Sequence, residues 1–234
     1  MAHFLLIHGS CHGAWCWDST IPALEALGHS AHAIDLPGHG ADPTPPEDVT
    51  LDDYARAIDD ALTPGTILVG HSMAGYAITA AAERASGKIG ALVYLAAYVP
   101  IPGKTLGDMR RNAPVQPLIE AIRVSEDRKT WTPDPALGPS KFYQDVPEDI
   151  AAAAMARLTP EPILPQETPL WPEHAFTLPR HYIRCEDDNA VPTVLQHMMT
   201  ENWTGGEVLS LPGSHSPFLA RPGDLAAALD RLAG

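Results

Sequence analysis

The sequence predicts an α/β fold: a doubly wound, mostly parallel sheet with helices covering both faces. Three observations carry this. Short apolar runs lack the in–out alternation of a half-exposed strand, as expected where both faces of a sheet are buried. Longer segments of helical character separate them, punctuated by early acids or a following glycine. The alternation of the two at this spacing is that of successive βαβ units.

The elements follow in order. "HFLLIH" (3–8) is a buried strand, followed by a helix over "STIPALEALG" (19–28). "SAHAID" (30–35) is the second strand, and "LDDYARAIDDAL" (51–62) the second helix. "TILVG" (66–70) leads into the Ala-rich helix "MAGYAITAAAERA" (73–85), and "IGALVYLA" (89–96) is the fourth strand. After a long interruption come "RHYIRC" (180–185), the helix "PTVLQHMMTENW" (192–203), "EVLSL" (207–211) and a final helix "GDLAAALDRLAG" (223–234). The interruption, 100–179, is proline-dense, has no convincing buried strand and contains one clear helix, "PEDIAAAAMARL" (147–158). It is far longer than the roughly 12–15 residues usual for a structureless loop, so it is expected to be an inserted lid. The core is then 1–99 with 180–234. Trp15 and Trp17 are expected to pack the first helix onto the sheet.

A chain of 234 residues, 45% hydrophobic, is long enough for one domain with a substantial core. Its 29 acids against 15 lysines and arginines give a net charge of −14, which argues against nucleic acid or an anionic membrane as partner. Three cysteines without CxxC spacing suggest reduced thiols and a cytoplasmic protein. No apolar run approaches the roughly 18 residues of a membrane span, and the N-terminus reads as a strand rather than a signal peptide.

"LVGHSMAGY" (68–76) carries the chemistry. Ser72 sits between a strand and a helix, where a sharp turn lifts its hydroxyl above the sheet. The expected G-x-S-x-G has become G-x-S-x-A: Gly70 is in place, Ala74 stands for the second glycine, and Gly75 follows one residue late to supply close packing. The plain alternative is a buried serine in an ordinary βα turn. A serine nucleophile needs a base and an acid to orient that base, in the chain order Ser, acid, His. Among 11 histidines, His215 alone combines late position, a strand-end loop and a nearby glycine ("LPGSHSPF"). The acid belongs after "RHYIRC", where Glu186, Asp187 and Asp188 are all available. The oxyanion requires two N–H donors: the amide of Met73, after the nucleophile, and that of Ser10 in the loop "HGSCHGAW".

Together these segments resemble the α/β-hydrolase superfamily, in the branch of plant methyl esterases, hydroxynitrile lyases and bacterial esterases. "HFLLIHGSCHGAWCWDSTIPALEALGHSAHAIDLPGHG", "FYQDVPEDIAAAAMARLTPEP", "YIRCEDDNAVP" and "GSHSPF" carry the resemblance, which is weakest over 103–140. It implies the α/β-hydrolase fold with a six-stranded sheet and a helical lid. It also selects Asp188, four residues before Pro192, over the runner-up Asp187. The lyases carry Thr at the position of Gly9 and Lys at that of Ser216, so these two residues place the chain on the esterase side and are candidate substrate contacts. An Asp nucleophile would mark epoxide hydrolases or dehalogenases, and Ser72 argues against those.

The expected function is therefore a serine carboxylesterase for small aryl or methyl esters, with no metal or organic cofactor. Lid residues Trp131, Phe142, Tyr143, Met155 and Leu158 are candidates to line the acyl pocket, Trp131 foremost. The rivals are a lactone or carbon–carbon hydrolase with the same triad, and a ligand-binding receptor with little turnover. By resemblance alone, a homodimer through the lid is an expectation.

Overall fold

A computed structural model describes residues 1–234. The chain opens with β1 (His3–Ile7), α1 (Thr20–Ala26), β2 (Ser30–Ile34), α2 (Leu51–Ala61), β3 (Thr66–His71), α3 (Ala74–Ala85) and β4 (Ile89–Leu95). A long excursion holds α4 (Leu106–Arg111), β5 (Ile122–Val124), β6 (Thr130–Pro133), α5 (Gly138–Phe142), α6 (Glu148–Met155) and β7 (Glu161–Pro162). β8 (Arg180–Cys185), α7 (Thr193–Thr200), β9 (Val208–Leu211), α8 (Pro217–Ala220) and α9 (Pro222–Leu232) complete it. Six strands form one parallel sheet in the order β2-β1-β3-β4-β8-β9. No helix is long and apolar enough to cross a membrane.

The apolar runs work as strands because neighbouring residues serve opposite faces. Leu5 and Ile7 join a cluster of 30 buried residues with α2, α3 and α7. Phe4 and Leu6 join a second cluster, of 19, with α1, α8 and α9. Leu68 and Leu92 face the first cluster, Val69 and Val93 the second. Thr50 and Asp53 cap α2 reciprocally, which fixes where it starts.

The excursion departs from the expected helical lid. β5, β6 and β7 form an antiparallel three-stranded sheet beside α4, α5 and α6. These strands are two to four residues long and include Pro133 and Pro162, so they lack the length and composition by which a strand is recognised. Trp15 and Trp17 both pack against the cluster that joins α1 to the sheet, and Trp15 also reaches the excursion. Trp17 is buried beside Leu24 of α1, but Trp15 stacks on His12 and lies under the Arg157 guanidinium, at the boundary with the excursion.

Candidate active site

The site collects at the C-terminal ends of the parallel strands, where loops from separate strands converge. Ser10 follows β1, Ser72 follows β3, Asp188 follows β8 and His215 follows β9.

Ser72 has φ of +56°, the left-handed region that L-residues rarely occupy. Its backbone is held there from several sides. Its N–H donates to the Leu95 carbonyl at 3.1 Å, and its own carbonyl accepts from Tyr98 N at 3.1 Å and Gly75 N at 3.2 Å. The glycine displaced by one place has a physical reason. A Cβ on Gly75 would sit 2.1 Å from the Tyr98 carbonyl oxygen, so the close crossing falls at residue 75. Ala74 is fully buried in the larger cluster.

His215 is 2% exposed, and its Nδ1 lies 2.7 Å from Asp188 Oδ2. The Asp188 carboxylate accepts three further donors: Ala190 N at 2.7 Å and Val191 N at 2.9 Å on Oδ1, and Gln196 Nε2 at 3.0 Å on Oδ2. An acceptor so occupied assigns the proton of the shared bond to His215 Nδ1, leaving Nε2 with its lone pair free. The neighbouring acids face elsewhere. Asp187 accepts from Gly213 N at 3.1 Å, and Glu186 pairs with Ser210 and His197. His71 contacts the His215 carbonyl through Nε2 at 2.8 Å, bracing the loop. Burial, then the His215 and His12 rings beside it, push its pKa well below the ordinary value.

Ser10, Ser72, Met73, Trp131 and His215 line one cavity. Gly9 and Ser216 are not among its lining residues. Gly9 packs so tightly that an added Cβ would meet His71 Nδ1 at 2.6 Å, and Ser216 is fully buried. The amides of Ser10 and Met73 have no acceptor within the protein. Of the other lid candidates Phe142 lines the cavity, whereas Tyr143, Met155 and Leu158 do not. The cavity is narrow: about 20 Å³ is open to the centre of a water-sized sphere, room for about one water.

Three chains of polar contact hold the loop after β1. His12 donates from Nδ1 to the Ser10 carbonyl at 2.8 Å and accepts the Tyr143 hydroxyl at Nε2 at 2.7 Å. Burial lowers its pKa to about 4. His8 accepts Leu36 N at Nε2 at 3.0 Å, so Nδ1 carries the hydrogen given to the Gly9 carbonyl at 2.9 Å. Glu161, on β7 and fully buried, accepts from Cys11 N at 2.8 Å, meets His39 Nε2 at 2.8 Å and accepts Gln166 Nε2 at 2.9 Å. No group of His, Cys, Asp and Glu with metal-binding geometry occurs.

A profile of the alpha/beta hydrolase family matches residues 4–228, nearly the whole chain. The chain belongs to that family. It is 32% identical over 255 residues to Esterase PIR7B of Oryza sativa subsp. japonica, covering 99% of this chain and 95% of that protein. It is 31% identical over 252 residues to Methyl jasmonate esterase 1 of Vitis vinifera, covering 98% and 96%. The crystal structure of a pyrethroid hydrolase from Sphingobium faniae superposes with a TM-score of 0.89 at 29% identity, covering 99% of this chain and 97% of that one.

Sequence reasoning missed several residues around this hydrolase's site. His12, Arg110 and Gln166 line the cavity, and Gln196 and Glu161 support groups beside it. His12, inside "HGSCHGAW", and Glu161, inside "FYQDVPEDIAAAAMARLTPEP", lie in segments that carry the family resemblance. The others occupy helix or lid positions with no local signal.

Proposed function

We propose that this α/β hydrolase is a serine carboxylesterase in which Ser72 is the nucleophile, His215 the base and Asp188 the acid that orients it. The chain is a carboxylic ester hydrolase, as its likeness to named esterases along almost its full length supports. The observation that carries the residue assignment is the convergence on one cavity of a left-handed serine, a histidine bonded to a buried carboxylate, and two unpartnered amides.

Chemistry follows from that arrangement. His215 Nε2 takes the Ser72 proton as Oγ attacks the ester carbonyl. The amides of Ser10 and Met73 receive the oxyanion, each worth about 3–4 kcal/mol in such a site. His215 then protonates the departing alcohol, leaving an acyl-enzyme. Water, deprotonated by His215, releases the acid and restores Ser72. Asp188 holds the imidazole in the productive tautomer and stabilises its cation throughout. We read residues 100–179 as a cap that opens to admit the ester and closes over its acyl group, and small methyl or aryl esters as the substrates.

The test is hydrolysis of p-nitrophenyl acetate and methyl salicylate by the wild type beside Ser72→Ala. Turnover should fall by about 10⁴- to 10⁶-fold in the variant, with thermal unfolding unchanged. A folded variant that retains the wild-type rate would remove Ser72 from the reaction.

A further inference from the structure

Fourteen residues line the cavity, and Arg110 is the one lysine, arginine, aspartate or glutamate among them. It sits in the last turn of α4, next to Arg111. The two neighbours differ in what they hold. Arg111 makes a two-pronged contact with Glu167 at 2.7 and 3.0 Å and another with Asp108 at 3.0 Å. Arg110 has no carboxylate within 4.0 Å, in a chain where acids outnumber lysines and arginines 29 to 15. Its one polar protein contact is the Gln166 side-chain oxygen Oε1 at 3.4 Å, beyond the usual hydrogen-bond range.

Arg110 is partly buried, and its unpartnered nitrogens are not sealed from water, so on a cavity otherwise walled by Met73, Leu106 and Leu118 it offers free donors to an anion from outside the protein. The planar fork suits a carboxylate. The Gln166 side-chain amide lies beside the guanidinium, and itself donates to Glu161 and to Ser10 Oγ. The recognition group is thereby tied to the loop whose amide faces the reacting carbonyl.

We propose that Arg110 anchors a carboxylate at the far end of the acyl group, so that the preferred substrates are half-esters of dicarboxylic acids. This rests on the esterase reading above and names its substrate class. The reaction is ordinary hydrolysis: the acyl C–O bond breaks, water oxygen joins the acyl carbon, and the alcohol leaves with a proton. Arg110 stays protonated and touches only the distal carboxylate.

The experiment compares monomethyl succinate, glutarate, adipate and terephthalate with their dimethyl esters. For at least one skeleton the half-ester should have the higher kcat/KM by about 10-fold or more, chiefly through KM. The ratio of half-ester to diester should fall about 10- to 100-fold in Arg110→Met and survive within a few-fold in Arg110→Lys. No half-ester preference at any length, or a ratio untouched in a folded Arg110→Met protein, overturns the proposal. Failure of the esterase reading looks different: the wild type would then cleave neither series. In that event calorimetry with Ser72→Ala decides Arg110 alone. Half-ester binding lost on adding Arg110→Met upholds the anchor; no binding, or equal binding in both, overturns it.

Discussion

The two walls of the cavity are held by different physics. On the sheet side, Ser72 and His215 stand on loops that leave strands buried in clusters of 30 and 19 residues. On the other side, α4, β6 and α5 present Arg110, Trp131 and Phe142. α4 reaches the cluster of 30 through Leu106 and Met109, but the part of this wall around Phe142 packs in a cluster of only six residues, one of which, Ala190, comes from the loop after β8. That part of the segment is fastened largely by polar contacts to the site loops. Glu161 holds Cys11 N, Tyr143 holds His12, and Asp145 accepts from Ser214 N at 3.0 Å and Arg221 at 3.0 Å. Apolar packing is indifferent to charge state, whereas each of these fastenings depends on protonation or on a single donor. The sheet wall should therefore lose chemistry when altered, and the lid wall should lose alignment.

The largest effect is expected on the sheet side. Asp188→Asn keeps the size of the side chain but sets an amide among the donors of Ala190, Val191, Gln196 and His215. The imidazole is driven to its other tautomer, and kcat should fall about 10⁴-fold with KM little changed. A loss under about 10-fold on p-nitrophenyl acetate would mean that another group orients His215.

Next in size is the response to acid at the junction of the walls. His12 is buried and neutral, with a pKa lowered to about 4 from the ordinary 6.5. The unfolded chain thus binds a proton that the folded one refuses between those values. Stability is full above about 6.5, falls as pH drops through the window and levels off below about 4. The loss from this one residue is up to about 3 kcal/mol. His8 and His71, lowered by burial as well, lose stability in the same direction. Protonated His12 would donate from Nε2 to the Tyr143 oxygen, reversing the direction of that bond. Thermal unfolding followed from pH 7 to 4 checks this, and His12→Asn should flatten the curve. A flat wild-type curve would contradict it.

The same division separates what could be read in the sequence from what could not. Six core strands were legible because burial on both faces makes a continuous apolar run, as in Phe4 to Ile7. The strands of 100–179 were not, since β6 is only "TWTP" and its partners β5 and β7 are just three and two residues long. The turns that set Ser72 and His215 on one cavity were legible locally, because each follows the end of a core strand. The choice of Asp188 over Asp187 came from resemblance alone, because adjacent acids share one composition and differ only in which way a turn points them. Glu161 lies 150 residues from Cys11, and no local pattern announces such a partner.

A smaller effect tests the lid fastening. In Glu161→Gln the amide must turn its NH₂ toward either the Gln166 donor or the oxygen position shared by Cys11 N and His39. One buried donor is left unpaired, at about 1–3 kcal/mol of stability. The Ser10 amide, next to Cys11, loses its fixed aim, so kcat should fall about 10- to 100-fold while the Ser72-dependent chemistry persists. A kcat equal to wild type, with unfolding also unshifted, would show that the lid does not position this loop.

The smallest effect is expected from the acid beside Asp188. Asp187 is exposed, and its side chain accepts one N–H, from Gly213 at 3.1 Å. Its backbone amide donates to the Gly213 carbonyl at 3.0 Å whatever the side chain is. Asp187→Asn keeps an oxygen for the same N–H, and water screens the lost charge. The His215 loop is meanwhile held by Asp145, Arg221 and His71. The kcat of Asp187→Asn should stay within about 3-fold of wild type, against about 10⁴-fold for Asp188→Asn. Comparable losses at the two positions would mean that the turn can present either carboxylate to the imidazole, and the contrast between a rigid sheet wall and an adjustable lid wall would fail at its strongest point.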